Sequence, residues 1–249
     1  MYRNPPAPEM EGKVVIITGG AGGIGGETAR LFARRGAKQI WLADIDDENG
    51  EVLAGELRQY CAAEYRHTDV TSESGVAAFF RELSSPPDVL FNCAGITSVK
   101  GLMETDIVLW NRIMNVNVTS VFLFSKEAMS VMGAQKNGRI INVSSVSAYV
   151  GGIRTSPAYA ASKAAIIGLT RALAKYGAPL GVRVNAVVPG LVDTDMTRAK
   201  DFVYSEKEVP LGYIAKPADI ARAVLFLAGD AGSYITGQCL NINGGMYFS

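Results

Sequence analysis

Histidine and cysteine are scarce in this sequence. Among 249 residues there is one histidine, His67, and there are three cysteines, Cys61, Cys93 and Cys239. The cysteines lack paired spacing, so neither a disulfide framework nor a zinc site built from cysteine and histidine is expected. A Ser-His-Asp triad would need His67 beside an activated serine, but AEYRHTDVT is typical of the end of a strand. We therefore expect no metal site and interpret His67 as a partly exposed loop residue.

A net charge and long apolar runs are also missing. Lys and Arg total 24 and Asp and Glu total 24, so no basic field exists to attract phosphate backbones. Nucleic acid and anionic membrane are therefore not expected as partners. No apolar stretch reaches the roughly eighteen residues that span a bilayer, and the opening MYRNPPAPEMEGK lacks the apolar centre of a secretory signal. The protein is predicted to be cytoplasmic.

The fractions of hydrophobic and charged residues indicate one α/β domain. Hydrophobic residues make up 48% and charged residues 19% of the chain, which suits a single large core better than two small ones. No repeat, low-complexity tract or linker divides residues 1–249. The proline-rich residues 1–11 are the segment that we expect to form a loose N-terminal arm.

Short runs rich in β-branched residues alternate with helical segments. The predicted strands are KVVIIT (13–18), QIWLA (39–43), the weaker EYRH (64–67), DVLFN (88–92), RIINVS (139–144), RVNAVV (183–188) and CLNI (239–242). The predicted helices cover 24–35, 47–60, 73–83, 105–132, 157–177 and 217–229. This alternation fits repeated βαβ crossovers, and near-continuous apolar strands indicate a sheet that is covered on both faces. The sequence therefore predicts a Rossmann-type α/β fold, a doubly wound parallel sheet of about seven strands.

A glycine-rich turn, TGGAGGIGG (18–26), follows the first predicted strand and precedes the first predicted helix. In a doubly wound sheet, ligands bind at this turn, because closely spaced glycines let the backbone approach a pyrophosphate at the helix N-terminus. The glycines satisfy GxGxxG, TGxxGxxG and TGxxxGxG at once. The turn therefore predicts dinucleotide binding but does not by itself identify a family.

Asp44 ends the second predicted strand, about twenty residues beyond the glycines. A carboxylate at this place accepts hydrogen bonds from both ribose hydroxyls of NAD and repels the 2′-phosphate of NADP. No arginine or lysine lies in the turn or beside Asp44 to reverse that preference. We therefore predict NAD as the cofactor, with NADP less favoured. Asp46 and Asp47 are interpreted as charges that cap or begin the following helix.

Tyr159 and Lys163 lie four residues apart in SPAYAASKAAIIG (156–168), so they are neighbours on one face of a helix. The small and apolar flanking residues indicate that this pair faces a site of low dielectric. An adjacent ammonium favours the phenolate, and lowering the phenol pKa by about 3 units requires roughly 4 kcal/mol, much of which a close cation supplies. Tyr159 is then a general acid or base for a substrate oxygen, while a nicotinamide handles the hydride.

Five motifs occur in one order along almost the whole chain. They are TGGAGGIG, the NCAG of Asn92 to Gly95, the INVSS ending at Ser145, YAASK and the PG of Pro189-Gly190. In this combination the chain resembles the short-chain dehydrogenase/reductase family, in its compact single-domain branch. The resemblance selects Gly19, Gly23 and Gly25 from the glycine turn. It implies an NAD-dependent oxidoreductase that interconverts a secondary alcohol and its ketone, both small molecules.

The resemblance also implies catalytic roles, in addition to those of the Tyr–Lys pair. Ser145 would hydrogen-bond the reacting oxygen, and Ser144 and Ser147 are alternatives for this role. Asn117 would hold a water that links the lysine to solvent, and Asn115 is its near competitor.

Most of the implied binding residues belong to the cofactor. They are Gly19, Gly23, Ile24, Gly25, Asp44, Asp69, Val70, Asn92, Ala94, Gly95, Tyr159, Lys163, Pro189, Gly190, Val192 and Thr194. Asp69 with Val70 would contact adenine, and Lys163 would bind the nicotinamide ribose. Cys93 stands where the family usually has a second asparagine, and we interpret it as a tolerated small residue rather than a nucleophile.

Loops at the strand ends are expected to form the walls of the substrate site. We expect these walls from residues 96–100 and 147–155 and from a lid over residues 194–213. The candidate substrate residues are Ser147, Tyr149 and Arg154. Tyr149 and Arg154 hint at a polar or anionic substrate, although an outward-facing arginine explains the sequence equally well.

An alternative function lies within the same family. VDTDM (192–196) and SYITGQCLNINGG (233–245) resemble 3-oxoacyl-carrier-protein reductases, which are NADPH-dependent. Asp44 argues against NADPH, and Leu180 stands where many of these enzymes have an arginine that docks the acidic carrier. A third possibility, a non-catalytic dinucleotide sensor, is disfavoured because the catalytic set is intact. The resemblance further implies a homotetramer, with the helices around 105–132 and 157–177 in its larger interface.

Overall fold

The computed structural model describes residues 9–152, 155–198 and 205–248. Its strands are β1 (Val14–Thr18), β2 (Gln39–Asp44), β3 (Ala62–His67), β4 (Val89–Asn92), β5 (Gly138–Val143), β6 (Val182–Pro189) and β7 (Cys239–Ile242). They form one seven-stranded sheet in the order β3-β2-β1-β4-β5-β6-β7, and every neighbouring pair is parallel. The predicted parallel, doubly wound α/β fold is confirmed.

Helices connect the strands and cover both faces of the sheet. They are α1 (Gly23–Arg34), α2 (Asp47–Leu57), α3 (Glu73–Glu82), α4 (Ile107–Met114), α5 (Ser120–Ala134), α6 (Ser147–Val150), α7 (Pro157–Gly177), α8 (Asp195–Arg198) and α9 (Pro217–Ala228). The sequence predicted one helix over 105–132, whereas the structure has a π-helical turn, Asn115–Thr119, between α4 and α5. Such turns are frequent at functional sites, because the extra residue redirects the side chains around it.

The residues of β1 show how both faces of the sheet are buried. Val15 and Ile17 pack in one core cluster with Phe32 of α1, whereas Ile16 packs in the other with Phe124 of α5. Because side chains alternate along a strand, a strand is apolar at every position only where both faces are covered. The uninterrupted apolar runs of the sequence therefore have a direct structural cause.

The strand order reverses next to β1. This strand pairs with β2 on one side and with β4 on the other, so the connections that leave these strands diverge. A crevice opens at the carboxyl ends of strands at such a point. The segments that follow Thr18, Asp44 and Asn92 meet there.

Met10 is part of the folded core. Its side chain is fully buried in the core, and its N–H donates to the Arg35 carbonyl at 3.0 Å. Glu9 forms an ion pair with the Arg35 guanidinium at 2.9 Å. The predicted loose arm over residues 1–11 is therefore wrong at Met10, because its apolar side chain is buried; Glu9 is held beside it by the ion pair with Arg35. Residues 1–8 lie outside the described residues.

The run Ile107–Ala134 is long and apolar enough to qualify as a membrane span by length and mean hydropathy alone. In the structure, Phe124, Ala128 and Met132 of this run are buried in the core beneath the sheet. Of the most apolar window of this run, 33% is buried, so packing on the sheet accounts for part of its apolar composition.

Candidate active site

Three glycines give the turn after β1 its shape. Gly19 has φ +64°, and a Cβ there would lie 2.8 Å from the Ala94 nitrogen. Gly23 also has a positive φ, +55°, and a Cβ on Gly25 would overlap the Gly19 carbonyl oxygen. Left-handed backbone and close approach both favour glycine. The three positions selected by the family resemblance are thus positions at which this turn needs glycine.

The N-terminus of α1 is suited to a phosphate group. No side chain caps it at Gly22, and its first turn contains no acidic residue. Its free N–H groups and positive dipole end therefore favour an anion. Ile24 lies in this first turn, and the Thr194 side chain lies 3.7 Å from the Cβ position of Gly23. The residues present fit the pyrophosphate of a dinucleotide, because a cradle that a Cβ would fill faces this helix end.

Asp44 ties the end of β2 to the glycine turn. Its Oδ2 accepts the Ala21 N–H at 2.9 Å, and its Oδ1 accepts the Ile45 N–H at 2.7 Å. Oδ1 also accepts the Asp46 N–H at 3.3 Å. A carboxylate has about four acceptor positions, so this side chain retains the capacity to accept a ribose hydroxyl. The sequence did not reveal the second function of Asp44, which is to hold the turn in place. Asp46 is the N-cap of α2 and accepts from Asn49 N–H, as predicted.

A wide groove of about 870 Å³ lies at the ends of β2 and β3, beginning at Ile45, the residue that follows Asp44. Asp69 and His67 line it on one side, and Arg112 and Asn115 line it on the other. His67 Nδ1 lies 2.8 Å from Asp47 Oδ1, so the single histidine forms a polar pair at the surface. Hydrogen bonds from the Thr71 hydroxyl and backbone N–H lower the pKa of Asp69. The neighbouring Val70 side chain is buried in the core, which leaves its main chain for any contact with adenine.

Asn92 has a different position from the one expected of a cofactor ligand. Its side chain is 2% exposed, and its Nδ2 donates to Asn142 Oδ1 at 2.9 Å and to Ser125 Oγ at 3.2 Å. Asn142 Nδ2 in turn donates to Thr170 Oγ1. The amide nitrogen of Asn92 is therefore used in a buried network, and the binding of the cofactor by this residue stays a prediction.

The loop after β4 is anchored by Thr18. The Thr18 hydroxyl accepts the backbone N–H groups of Cys93 at 3.1 Å and Ala94 at 3.2 Å. This brings Ala94 and Gly95 beside the glycine turn.

Burial raises the pKa of the Cys93 thiol to about 12, which agrees with the interpretation that this cysteine is not a nucleophile. Within residues 9–152, 155–198 and 205–248, no cluster of three His, Cys, Asp or Glu side chains has a metal-binding arrangement.

The end of β6 forms the opposite border of the site. The Pro189 carbonyl accepts the Val146 N–H at 2.8 Å, and the Gly190 N–H donates to the Ile242 carbonyl at 3.0 Å. Val192 is 4% exposed and packs in the core. Of these predicted cofactor residues, Gly190 faces the active-site cavity.

The start of α7 fixes Tyr159 and Lys163. Ser156 is the N-cap and accepts the Tyr159 N–H at 3.2 Å, and Pro157 occupies the first helical turn; both are favoured at a helix start. The Ser156 N–H donates to the Ser98 carbonyl at 2.7 Å. The Lys163 Nζ lies 5.7 Å from the centre of the Tyr159 ring. The predicted pair therefore shares one helix face.

Lys163 is buried almost completely, with 5% of its surface exposed. Its Nζ donates to the Val143 carbonyl at 3.0 Å. Burial lowers its pKa to about 8, because the ammonium is deprived of water. The group is therefore an ammonium at neutral pH, close to a phenol and inside a site of low dielectric.

The three candidate serines that follow β5 have different environments in the structure. Ser144 donates its hydroxyl to the Lys163 carbonyl at 2.7 Å, which ties β5 to α7. Ser145 lines the same cavity as Tyr159, and its Oγ accepts the Ser147 N–H at 3.2 Å. Ser147 also lines this cavity. Ser144 is thus a structural residue, and the other two face the space beside the phenol.

Asn117 lies in the π-helical turn and is 1% exposed. Its Oδ1 accepts the Ile96 N–H at 2.8 Å, and its Nδ2 donates to the Ile96 carbonyl at 3.0 Å. Nδ2 also donates to Ser162 Oγ at 2.9 Å. Its side chain therefore clamps the loop after β4 onto α7. The competitor Asn115 instead lines the groove that also contains Asp69.

The cavity that contains Ser145 and Tyr159 has a volume of about 60 Å³. Its other walls include Thr97, Val150, Thr155, Leu191, Met196 and Met246. The predicted walls over 96–100, 147–155 and 194–213 each contribute residues, including Glu208 of the lid. Leu191 and Met246 were not predicted, and Met246 has no local sequence signal because it lies in the C-terminal tail.

Of the three candidate substrate residues, only Ser147 faces the cavity within the described part of the chain. Tyr149 is not among the residues that line this cavity; its ring stacks on Tyr247, with 4.3 Å between ring centres and 8° between planes. A contact of Tyr149 with the substrate stays a prediction. Because α6 is a single helical turn, Ser147 and Tyr149 point in different directions. Arg154 lies outside the described residues.

Comparisons with known proteins agree with this arrangement. The family model described as Enoyl-(Acyl carrier protein) reductase matches residues 19–247. The 3-oxoacyl-[acyl-carrier-protein] reductase FabG of Chlamydia trachomatis is 40% identical over 247 residues, which cover 94% of this chain and 97% of that protein. FabG of Escherichia coli is 40% identical over 246 residues, which cover 96% of this chain and 98% of that protein.

Solved structures are similar along nearly the full length. A short-chain type dehydrogenase/reductase from Mycobacterium marinum has a TM-score of 0.92 at 31% identity and covers 98% of both chains. A 3-oxoacyl-[acyl-carrier protein] reductase with bound NAD from Brucella melitensis has a TM-score of 0.90 at 28% identity, covering 100% of this chain and 98% of that one. The chain belongs to the short-chain dehydrogenase/reductase family and is an oxidoreductase of that family. The names of its curated relatives favour the 3-oxoacyl reductase alternative over the general alcohol dehydrogenase predicted first.

Proposed function

We propose that this oxidoreductase reduces the keto group of a 3-oxoacyl thioester to a secondary alcohol, with NADH as the hydride source. The observation that carries the proposal is the shared cavity of Ser145 and Tyr159, with Lys163 buried one helical turn from the tyrosine. The substrate class is supported by relatives at 40% identity that are named 3-oxoacyl-[acyl-carrier-protein] reductases.

The proposed roles follow from the chemistry of the three side chains. When bound, the nicotinamide supplies the hydride for the carbonyl carbon. Tyr159 donates its phenolic proton to the carbonyl oxygen, and the Ser145 hydroxyl donates a hydrogen bond to the same oxygen. The Lys163 ammonium favours the phenolate that remains after proton transfer. The reverse sequence oxidises a secondary alcohol to its ketone.

Asp44 supports NADH rather than NADPH. Its carboxylate is fixed by the Ala21 and Ile45 N–H groups at the border of the glycine turn, where a 2′-phosphate would meet a negative charge. A structure of a protein with the same reductase name was determined with bound NAD. The proposal therefore combines the substrate class of the relatives with the cofactor indicated by Asp44.

A second candidate is an NAD-dependent dehydrogenase of a free secondary alcohol, the function predicted first. It is favoured by Leu180, an apolar residue at a position where an acidic carrier would need a cation.

We also propose a homotetramer in the cytosol. Phe122 of α5 is 48% exposed, and a Cβ on Gly168 of α7 would meet no atom within 4 Å, so both helices offer surface to another subunit.

The test uses the full chain with the acetoacetyl thioester of N-acetylcysteamine and either NADH or NADPH. We expect turnover with NADH at least tenfold more efficient than with NADPH. Tyr159→Phe is expected to lose about 10²–10⁴-fold in kcat, because the proton donor is absent, while NADH binding measured by fluorescence persists. Tyr234→Phe is the matched control, since this tyrosine is fully exposed, and its kcat should not change.

Each contrary result has a defined meaning. NADPH preference would contradict the role of Asp44. Faster oxidation of simple secondary alcohols than reduction of the thioester would favour the second candidate. NADH binding with no turnover of either substrate class would favour the dinucleotide sensor.

A further inference from the structure

The C-terminal tail, residues 243–248, forms part of the active-site cavity. Met246 lines this cavity together with Ser145 and Tyr159. Its Sδ lies 3.0 Å from the position that a Cβ on Gly190 would occupy. The thioether therefore packs directly on the glycine that follows β6, at the same end of the sheet as the Tyr–Lys pair.

The tail is held by its own hydrogen bonds and by the lid. Asn243 Nδ2 donates to the Tyr247 carbonyl at 3.0 Å, and Asn243 Oδ1 accepts the Gly245 N–H at 3.0 Å. The Leu211 N–H donates to the Gly244 carbonyl at 3.0 Å. These bonds give Met246 a fixed position and join the tail to residues 205–213 of the lid.

An aromatic stack joins the tail to α6. The Tyr247 ring lies parallel to the Tyr149 ring at 4.3 Å, a distance at which aromatic pairs attract each other. The other side of α6 lines the cavity through Ser147 and Val150. Tail and α6 thus form one continuous wall, although they are far apart in the sequence.

The volume of the cavity limits which part of the substrate can enter it. Pockets that bind drug-sized ligands measure about 300–1,000 Å³, whereas this cavity measures about 60 Å³. The carbonyl of a 3-oxoacyl thioester carries two substituents, and the thioester with its carrier is too large for this space. The acyl end is therefore the substituent that enters the cavity.

We propose that Met246 is a specificity-determining residue that restricts the acyl end to a short chain, and that Tyr247, stacked on Tyr149, is the positioning residue that keeps Met246 there. This inference rests on the proposed function. Replacement of Met246 by a smaller residue lengthens the cavity toward the tail without touching the atoms that transfer the proton.

The test compares the 3-oxooctanoyl and 3-oxobutanoyl thioesters of N-acetylcysteamine by their ratio of kcat/KM. The wild type is expected to prefer the four-carbon substrate. Met246→Ala should raise the kcat/KM of the 3-oxooctanoyl substrate relative to that of the 3-oxobutanoyl substrate at least tenfold, mainly by lowering the KM of the longer substrate. Met246→Leu should keep the wild-type ratio. Phe248→Ala is the matched tail control, because this side chain is 82% exposed, and it should not change the ratio.

Tyr247 is tested in the same way. Tyr247→Ala should shift the ratio in the direction of Met246→Ala, and Tyr247→Phe, which retains the ring, should restore the wild-type ratio. The ratio is also measured with 2-octanol and 2-butanol in the oxidative direction. This second series keeps the chain-length test valid if the natural substrate is not a thioester.

A wild type that prefers the longer chain, or a ratio that Met246→Ala leaves unchanged, would overturn the inference while leaving the proposed function intact. Absence of thioester turnover with normal oxidation of the alcohols would instead remove the 3-oxoacyl assignment, and the alcohol ratio would then decide the role of Met246.

Discussion

The ammonium group of Lys163 is buried in the folded protein. Its pKa falls from 10.5 to about 8 on burial, while the unfolded chain keeps the ordinary value. Between these pH values the unfolded state binds more protons than the folded state, so the free energy of unfolding rises with pH across this window. At neutral pH the buried ammonium therefore destabilises the fold, by an amount on the order of 3 kcal/mol.

Lys163→Met is expected to abolish turnover and to stabilise the protein without cofactor. At pH 7 the free energy of unfolding in urea should rise by up to about 3 kcal/mol, and this gain should shrink toward pH 10.5 as the wild-type lysine loses its charge. Lys175→Met, on an exposed residue of the same helix, is the control and should change stability by less than about 0.5 kcal/mol. A Lys163→Met protein that is less stable at pH 7 would contradict this account of the lysine.

At the scale of elements, the turn between β1 and α1 depends on backbone contact rather than on side chains. Gly25 approaches the Gly19 carbonyl so closely that a Cβ has no room, whereas a Cβ on Gly22 meets no atom within 4 Å. Gly22 also has an extended backbone, with φ −165°. The two glycines are three residues apart, but the turn requires glycine at position 25 and not at position 22.

Gly25→Ala is expected to weaken NADH binding at least tenfold, because the turn must open to admit the methyl group and the phosphate cradle is then lost. Gly22→Ala is the matched control and should bind NADH within about twofold of the wild type. Fluorescence titration measures both, and circular dichroism checks that the fold is retained. Equal affinity in the two variants would show that this turn does not hold the dinucleotide.

Element boundaries were predictable where the pattern was local. Six runs rich in apolar residues and the weaker run EYRH predicted the seven strands of the described residues, and β7 has the predicted bounds. The π-helical turn was not predictable, because the periodicity of 105–132 is that of one helix and the extra residue is stabilised by the contact of Asn117 with Ile96. The side-chain direction of Asn92 was likewise not predictable, since it depends on which strands and helices lie beside β4.

At the scale of the whole molecule, two long helices expose surfaces that suit another copy of the chain. Phe122 of α5 is 48% exposed, and Ala164 and Gly168 of α7 are exposed small residues. Small residues allow helices to approach closely, so the proposed homotetramer would bury these positions.

Phe122→Glu is therefore expected to reduce the native mass from four chains to two or one, since a buried unpaired carboxylate is costly. Light scattering coupled to size exclusion measures this mass at a fixed protomer concentration. Val52→Glu, at a 68% exposed position on α2, is the control and should remain tetrameric. A wild type that elutes with the mass of one chain would contradict the proposed assembly.

The sequence by itself determined the fold class, the glycine turn, Asp44 and the Tyr159–Lys163 pair. The turn, Asp44 and the pair depend on spacing within one element or between neighbouring elements, and the fold class depends on the alternation of strand and helix patterns along the chain. Only the tertiary structure decided that Tyr149 stacks on Tyr247 and that Met246 closes the cavity. Those contacts join segments that are distant along the chain, and no local pattern of residues specifies which of them pack together.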